Sequence, residues 1–299
     1  MQCHEEDVAH LRAISRAIAL GDVVPYLGPG VFSLSAAPCP IPDSPERLVA
    51  ELAAKVSVPH RLQSNLTAAA QFIENFKHRK TLARLMQDAF AAAAPLTALH
   101  RHLGRLPGKP LLIVNTWYDD AMARALADTH SLWGQLLGLS QTESRGGWVA
   151  AYEADGSLTD LEEAETWNTV IYSPLGSVKP NGHCLVSDSD FVEILTEIDI
   201  QTPIPQVVRT LRRGRSFLFL GCRFRTQLER IFAAQIMKRS SERHWAVLSE
   251  PPTRNEARFL ERHGITPLAS PLEAVVATLF QETNREDPVP EKCSALALA

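Results

Sequence analysis

The chain has 299 residues, 45% of them hydrophobic and 21% charged, with a formal net charge of −4. That length suits one large α/β domain, the apolar content excludes a disordered chain, and the mild acidity with no basic stripe excludes a nucleic-acid binder. The five cysteines (Cys3, Cys39, Cys184, Cys222 and Cys293) show no C-x-x-C spacing, which argues against a thiolate zinc site and against a disulfide framework.

Along the chain, "VAHLRAISRAIALGD" has apolar residues at helical spacing, with Gly21 as its stop. "VVPYLG" is a short buried strand ending in glycine, predicted over Val23–Leu27. "PIPDSPERLVAELAAKV" reads as a turn and then a helix capped near Asp43 or Ser44. Residues 65–94 read as helical with a break at "KHRK", and "PLTALHRHLGRL" as a further helix ended by Pro107 and Gly108. "PLLIVNTW" carries a buried strand over Leu111–Asn115, followed by the helix "YDDAMARALAD". The acidic region 145–169 reads as irregular.

"TVIYSPLGSV" restores a strand over Val170–Tyr172 and a turn, and "SDSDFVEIL" opens a helix with Ser187 or Asp188 as its cap. Arg212, Arg213 and Arg215 read as a solvated helix end before "RSFLFLGCRF", whose strand covers Phe217–Leu220. The rest alternates: helix "RTQLERIFAAQIM", strand Trp245–Leu248, helix "NEARFLERHG", strand "ITPLAS", helix "PLEAVVATLFQ". This predicts a Rossmann-like α/β fold, a mainly parallel sheet with helices on both faces. It is one domain over 1–282, with a helical insertion at about 43–105 and a polar tail over 283–299. No apolar run approaches the ~20 residues of a membrane span, and the polar N-terminus is not a secretory signal, so a cytoplasmic protein is expected.

Ligands of such sheets sit beyond the carboxyl ends of the strands. There the chain carries "LGPGVF", "NTWYDD", "PLGSVKPNGHCLVSDSDF" and "LFLGCRFRT", followed by "HWAVL" and "HGITPL". In order and spacing these segments resemble the bacterial sirtuin-like domain, the zinc-free branch of the sirtuin superfamily that often hydrolyses NAD in anti-phage defence. That branch shows G-A-G-x-S, T-T-N-Y-D, L-H-G-S and G-x-S-x-x-D at these places. The resemblance runs from about Val23 to Leu279. It implies NAD or ADP-ribose as ligand, no metal, and contacts from Gly28, Gly30, Val31, Asp119, Gly176, Ser177 and Gly221; Arg223, a guanidinium at a strand end, is a further candidate for a phosphate.

The chain departs from the pattern where the chemistry would sit. Pro29 removes an N–H from the glycine turn, and Phe32 stands for the serine. Trp117 aligns with the asparagine expected to hold the ribose or the attacking water. Leu175 aligns with the histidine, the general base of the resemblance, and Arg223 and Thr226 with the serine and aspartate. Tyr118, Asp119, Gly176, Ser177 and Gly221 are kept.

Several readings stand side by side. Asp119 and Asp120 form an acidic pair or a helix cap. His183 is a substitute base or an exposed loop residue. Arg223 binds phosphate or an internal carboxylate. Trp117 fills the core or stacks a ligand, and is expected near Phe32. Cys222 is a small buried residue, not a nucleophile, and His100 and His102, at i and i+2, cannot share a metal. The chain reads as a degenerate sirtuin-like module without catalysis that binds a nucleotide, a protein partner or a second copy in a regulatory or defence role. The alternatives are an active NAD hydrolase working through Asp119 or His183, and a structural module without ligand.

Overall fold

A computed structural model describes residues 5–106, 111–129, 132–140, 147–197 and 204–283. Cys3, Cys293, the Pro107–Gly108 stop and the tail after Thr283 lie outside the described residues. The helices are α1 (Glu5–Ala19), α2 (Pro45–Lys55), α3 (Leu66–Lys77), α4 (Arg79–Ala89), α5 (Ala98–Gly104), α6 (Ala121–Ala127), α7 (Asp188–Glu197), α8 (Gln206–Arg212), α9 (Gln227–Met237), α10 (Arg254–Arg262) and α11 (Leu272–Thr283). The strands are β1 (Val23–Leu27), β2 (Leu111–Asn115), β3 (Trp133–Gly138), β4 (Val149–Glu153), β5 (Leu158–Thr159), β6 (Thr169–Ser173), β7 (Ser216–Leu220), β8 (His244–Val247) and β9 (Ile265–Leu268).

One sheet runs in the order β5-β4-β3-β6-β2-β1-β7-β8-β9. All pairings from β3 to β9 are parallel, and β4 and β5 add an antiparallel margin. Side chains alternate across the pleat. Val23, Leu27, Ile113, Ile171 and Leu220 pack against α1, the α2–α5 run, α6 and α11. Val24, Tyr26, Leu112, Val114, Phe217 and Phe219 pack against α7, α8, α9 and α10. The predicted parallel α/β architecture is therefore what the chain adopts.

Two local expectations are corrected. The region 145–169 was expected to be irregular, but its described residues, 147–169, supply β4, β5 and a short 3-10 turn at Leu161–Glu165. β3, "WGQLLG", gave no strand signal, because glycine is poor in strands. Here Gly134 makes room for an indole: an added Cβ would lie 2.3 Å from the Trp167 ring. Arg212 is not solvated either. It is buried, and its Nη1 donates to the carbonyls of Gln235 and Ile236 at 2.8 and 2.7 Å, closing the C-terminus of α9. Among the described residues no helix is long and apolar enough to cross a membrane.

Candidate functional site

From β1 the chain crosses to β2 on one side, and it later returns to β7 on the other. The β1/β7 boundary is thus a topological switch point, where open α/β sheets hold their ligands. The loop after β1 is built on backbone contacts to the loop after β7. Gly28 N donates to Leu220 O at 2.9 Å, Gly30 N to Gly221 O at 3.0 Å, and Val31 N turns back to Gly28 O at 3.2 Å. Pro29 has no N–H to offer. A Cβ on Gly28 would stand 2.6 Å from Gly221 O, and one on Gly221 2.3 Å from Val31 N. The glycines thus let two backbones touch, and the donors of Gly28, Gly30 and Val31 are all taken by carbonyls of this chain.

Gly221 also sits at φ +65°. Gly221→Ala is expected to lower folding stability by at least about 1–2 kcal/mol, from the left-handed backbone alone, before the clash with Val31 is added. Chemical denaturation measures it.

At the end of β2, Thr116 donates from both its N and its Oγ1 to Leu27 O, at 2.9 and 2.8 Å. Trp117 is buried; its Nε1 donates to Pro42 O at 2.7 Å, and its ring meets Phe90 and Tyr118 at 6.0 and 5.2 Å between centroids. Phe32 is buried in the same apolar layer, where its ring stacks on His100 at 5.7 Å. The Tyr118 hydroxyl donates to Leu185 O at 2.9 Å.

The acidic pair divides. Asp119 is buried, and its Oδ1 accepts from Ala121 N at 2.8 Å, holding the first N–H of α6 from one position before the cap residue Asp120. Burial pushes its carboxyl up to about 6, against the hydrogen bond from Ala121 N and with help from the charge of Asp120; the Asn115 side chain hydrogen-bonds it and pulls the other way. Asp120 instead pairs with Lys179 at 2.8 Å and Arg124 at 3.7 Å. Asn115 drew no attention in the sequence, because it looked like the polar end of a strand.

A buried acid with a raised pKa favours its neutral form in the fold. It contributes stability that is complete below about pH 4, its unfolded pKa, and is lost as pH rises through about 6. Asp119→Asn removes this dependence and leaves an acceptor for Ala121 N. The variant should gain on the wild type by up to about 3 kcal/mol between pH 4 and pH 8, since each pKa unit is worth about 1.36 kcal/mol. Denaturation across that range gives the difference directly.

The loop after β6 is tied to this point. Ser177 Oγ donates to the carbonyls of Tyr118 and Asp119 at 3.2 and 3.3 Å, and Val178 N to Tyr118 O at 3.0 Å. Gly176, at φ +74°, bridges Cys184 in antiparallel fashion, and Ser177 N donates to His183 O at 3.0 Å. His183 is half-buried on the returning arm, its N–H held by Asn181 Oδ1 at 2.9 Å. Leu175 is half-buried and packs against the apolar layers of both sheet faces, so it caps the sheet end. Arg79 of α4, inside the "KHRK" break, closes the loop's far end. Its Nη1 meets Asp190 at 2.8 Å and its Nη2 donates to Cys184 O at 3.0 Å. Nothing in the local pattern announces a contact spanning 111 positions.

After β7, the Cys222 thiol is buried against Tyr26 O and Leu220 O, and burial pushes it well up, away from thiolate. Arg223 takes up the internal carboxylate. Its Nε and Nη2 meet the two oxygens of Glu256 at 2.9 Å each. Glu256 is fully buried and also accepts from Phe224 N and Thr253 N, at 3.1 and 2.9 Å. Burial alone would raise its carboxyl, but the guanidinium and the backbone donors outweigh it and hold the group at about 2. Thr226 caps α9 in a reciprocal box with Glu229. Burial holds His100 and His102 at about 4, as neutral rings. Among the described residues no group of three His, Cys, Asp or Glu side chains is placed to hold a metal.

Compared with known families, residues 111–268 match the family model described as SIR2-like domain. The match is a little over half the chain, and it runs from the first residue of β2 to the last of β9. The loop of Gly28, Gly30 and Val31 lies outside it. No curated protein matches the chain.

Proposed function

Because the chain belongs to the SIR2-like domain family, whose members bind NAD-type ligands generally, we propose that it is a non-cleaving member: a module that engages an NAD-type nucleotide or a protein partner in a regulatory or defence role. The observation that carries this reading is Trp117. At the position of the asparagine of the sirtuin-like pattern stands a buried indole, anchored by its N–H to Pro42 O. An indole in that place neither orients a water nor receives a ribose hydroxyl.

Leu175 supports the same reading. It stands for the histidine and carries no proton at any pH. Loss of a general base alone costs about 2.7–5.4 kcal/mol of barrier, from the usual hundred- to ten-thousand-fold factor of acid–base catalysis. The committed N–H groups of Gly28, Gly30 and Val31 imply weak affinity for a diphosphate at the β1 loop.

One observation favours a second reading, NAD hydrolysis with a rebuilt site. Asp119 is a buried carboxyl titrating near 6 at a strand end, a value suited to proton transfer. Incubation with NAD separates the two. The non-cleaving reading expects no nicotinamide above the blank, with ADP-ribose binding weakly in calorimetry. Steady nicotinamide release that disappears in Asp119→Asn would establish the hydrolase instead.

A further inference from the structure

A groove with a volume of about 500 Å³ lies between α9 and α10. Small-molecule sites fall at about 300–1,000 Å³. Its wall carries Arg230, Arg258 and Arg262, with His263, and no aspartate or glutamate. On a chain of net charge −4 this is a local reversal of sign.

Arg258 and Arg262 stand one helical turn apart on α10, both exposed. Like charges at that spacing weaken a helix, and neither side chain has a hydrogen bond or ion pair among the described residues. Arg230 is fixed at the lip, its Nη1 donating to the carbonyls of Phe224 and Arg225 at 2.7 and 2.8 Å. The ring of His263 lies against Phe259, centroids 4.6 Å apart, and gives the groove an aromatic side, with the Asn255 amide nearby.

We propose that this groove binds a small phosphorylated ligand of nucleotide size, its diphosphate between Arg258 and Arg262 and its ring against the His263 side. Guanidinium forks match phosphate oxygens in pairs, and two of them a turn apart suit two successive phosphates. The ligand relieves the repulsion that the bare helix carries. The site shares no residue with the strand-end loops and stands independently of the activity proposed there.

Calorimetric titration with ADP, pyrophosphate and inorganic phosphate at low salt tests it, on the wild type and on Arg258→Gln/Arg262→Gln. The expected result is one equivalent of ADP and of pyrophosphate bound, with affinity at least about tenfold lower in the double variant, the effect of losing charge-assisted hydrogen bonds. The variant's melting temperature should not fall, because the exchange removes a like-charge pair. No binding of ADP or pyrophosphate at millimolar concentration overturns the proposal. So does binding that the double variant leaves unchanged, or a poly-glutamate peptide binding more tightly than pyrophosphate. ADP binding that Trp117→Asn alters and the arginine variant does not would move the ligand to the strand ends, and equally overturns it.

Discussion

Trp117→Asn is expected to cost about 3–5 kcal/mol of folding stability, the range for removing a large buried aromatic. The indole touches Phe90 and Tyr118 and satisfies Pro42 O, so the substitution empties a packed volume and orphans a carbonyl. The same change should tighten ADP-ribose binding, because it restores a polar group and opens the strand end. Leu175→His alone should release no nicotinamide, since the indole still fills its place. The two together are the combination with both missing polar groups back, and the one expected to recover cleavage. Denaturation midpoints, calorimetry and nicotinamide release read the three effects separately. A Trp117→Asn protein as stable as the wild type would remove the indole from the core and with it the ground for a filled site.

Glu256→Ala should be as damaging, at about 3–5 kcal/mol, the cost of breaking a buried ion pair from one side. It leaves Arg223 without its bidentate partner and Phe224 N and Thr253 N without an acceptor. The pH sign is opposite to that of Asp119. With its folded pKa depressed to about 2, Glu256 contributes stability that is complete above its unfolded value near 4.3, and is lost as pH falls through about 2. Wild type and variant should therefore converge in acid and differ most at neutral pH, which urea denaturation at pH 3 and pH 7 resolves.

Much of the sheet was legible because a buried parallel strand is a continuous apolar run. β1, β2, β6, β7 and β8 could be placed within a residue or so of their observed limits. β3 was hidden because its two glycines answer to Trp167 and to the carbonyl of Pro174, partners that adjacent sequence does not reveal. β4 and β5 were hidden because they are partly exposed at the margin of the sheet, β5 only two residues long, and so lack the continuous buried apolar run of the central strands. At the strand ends the residue types were visible but their engagements were not. Arg223 looked equally ready for a phosphate or a carboxylate, and the choice lies with Glu256, 33 positions away on a helix that the sheet brings alongside. Asp119 and Asp120 read as an acidic pair or a helix cap, and Lys179 and Arg124 draw the second away from the first.

The pairing of the β1 loop with the β7 loop has a consequence in time as well as in space. In a glycine loop kept open for an anion, amide protons exchange with solvent at nearly the rate of a free chain. Here the amides of Gly28 and Gly30 extend the ladder of two central strands by two rungs. Their deuterium uptake is governed by the opening of β1 from β7, an event close to global unfolding. The loop therefore keeps its protons about as long as the strands beneath it, and a ligand that needed those two amides would have to wait for the sheet to part.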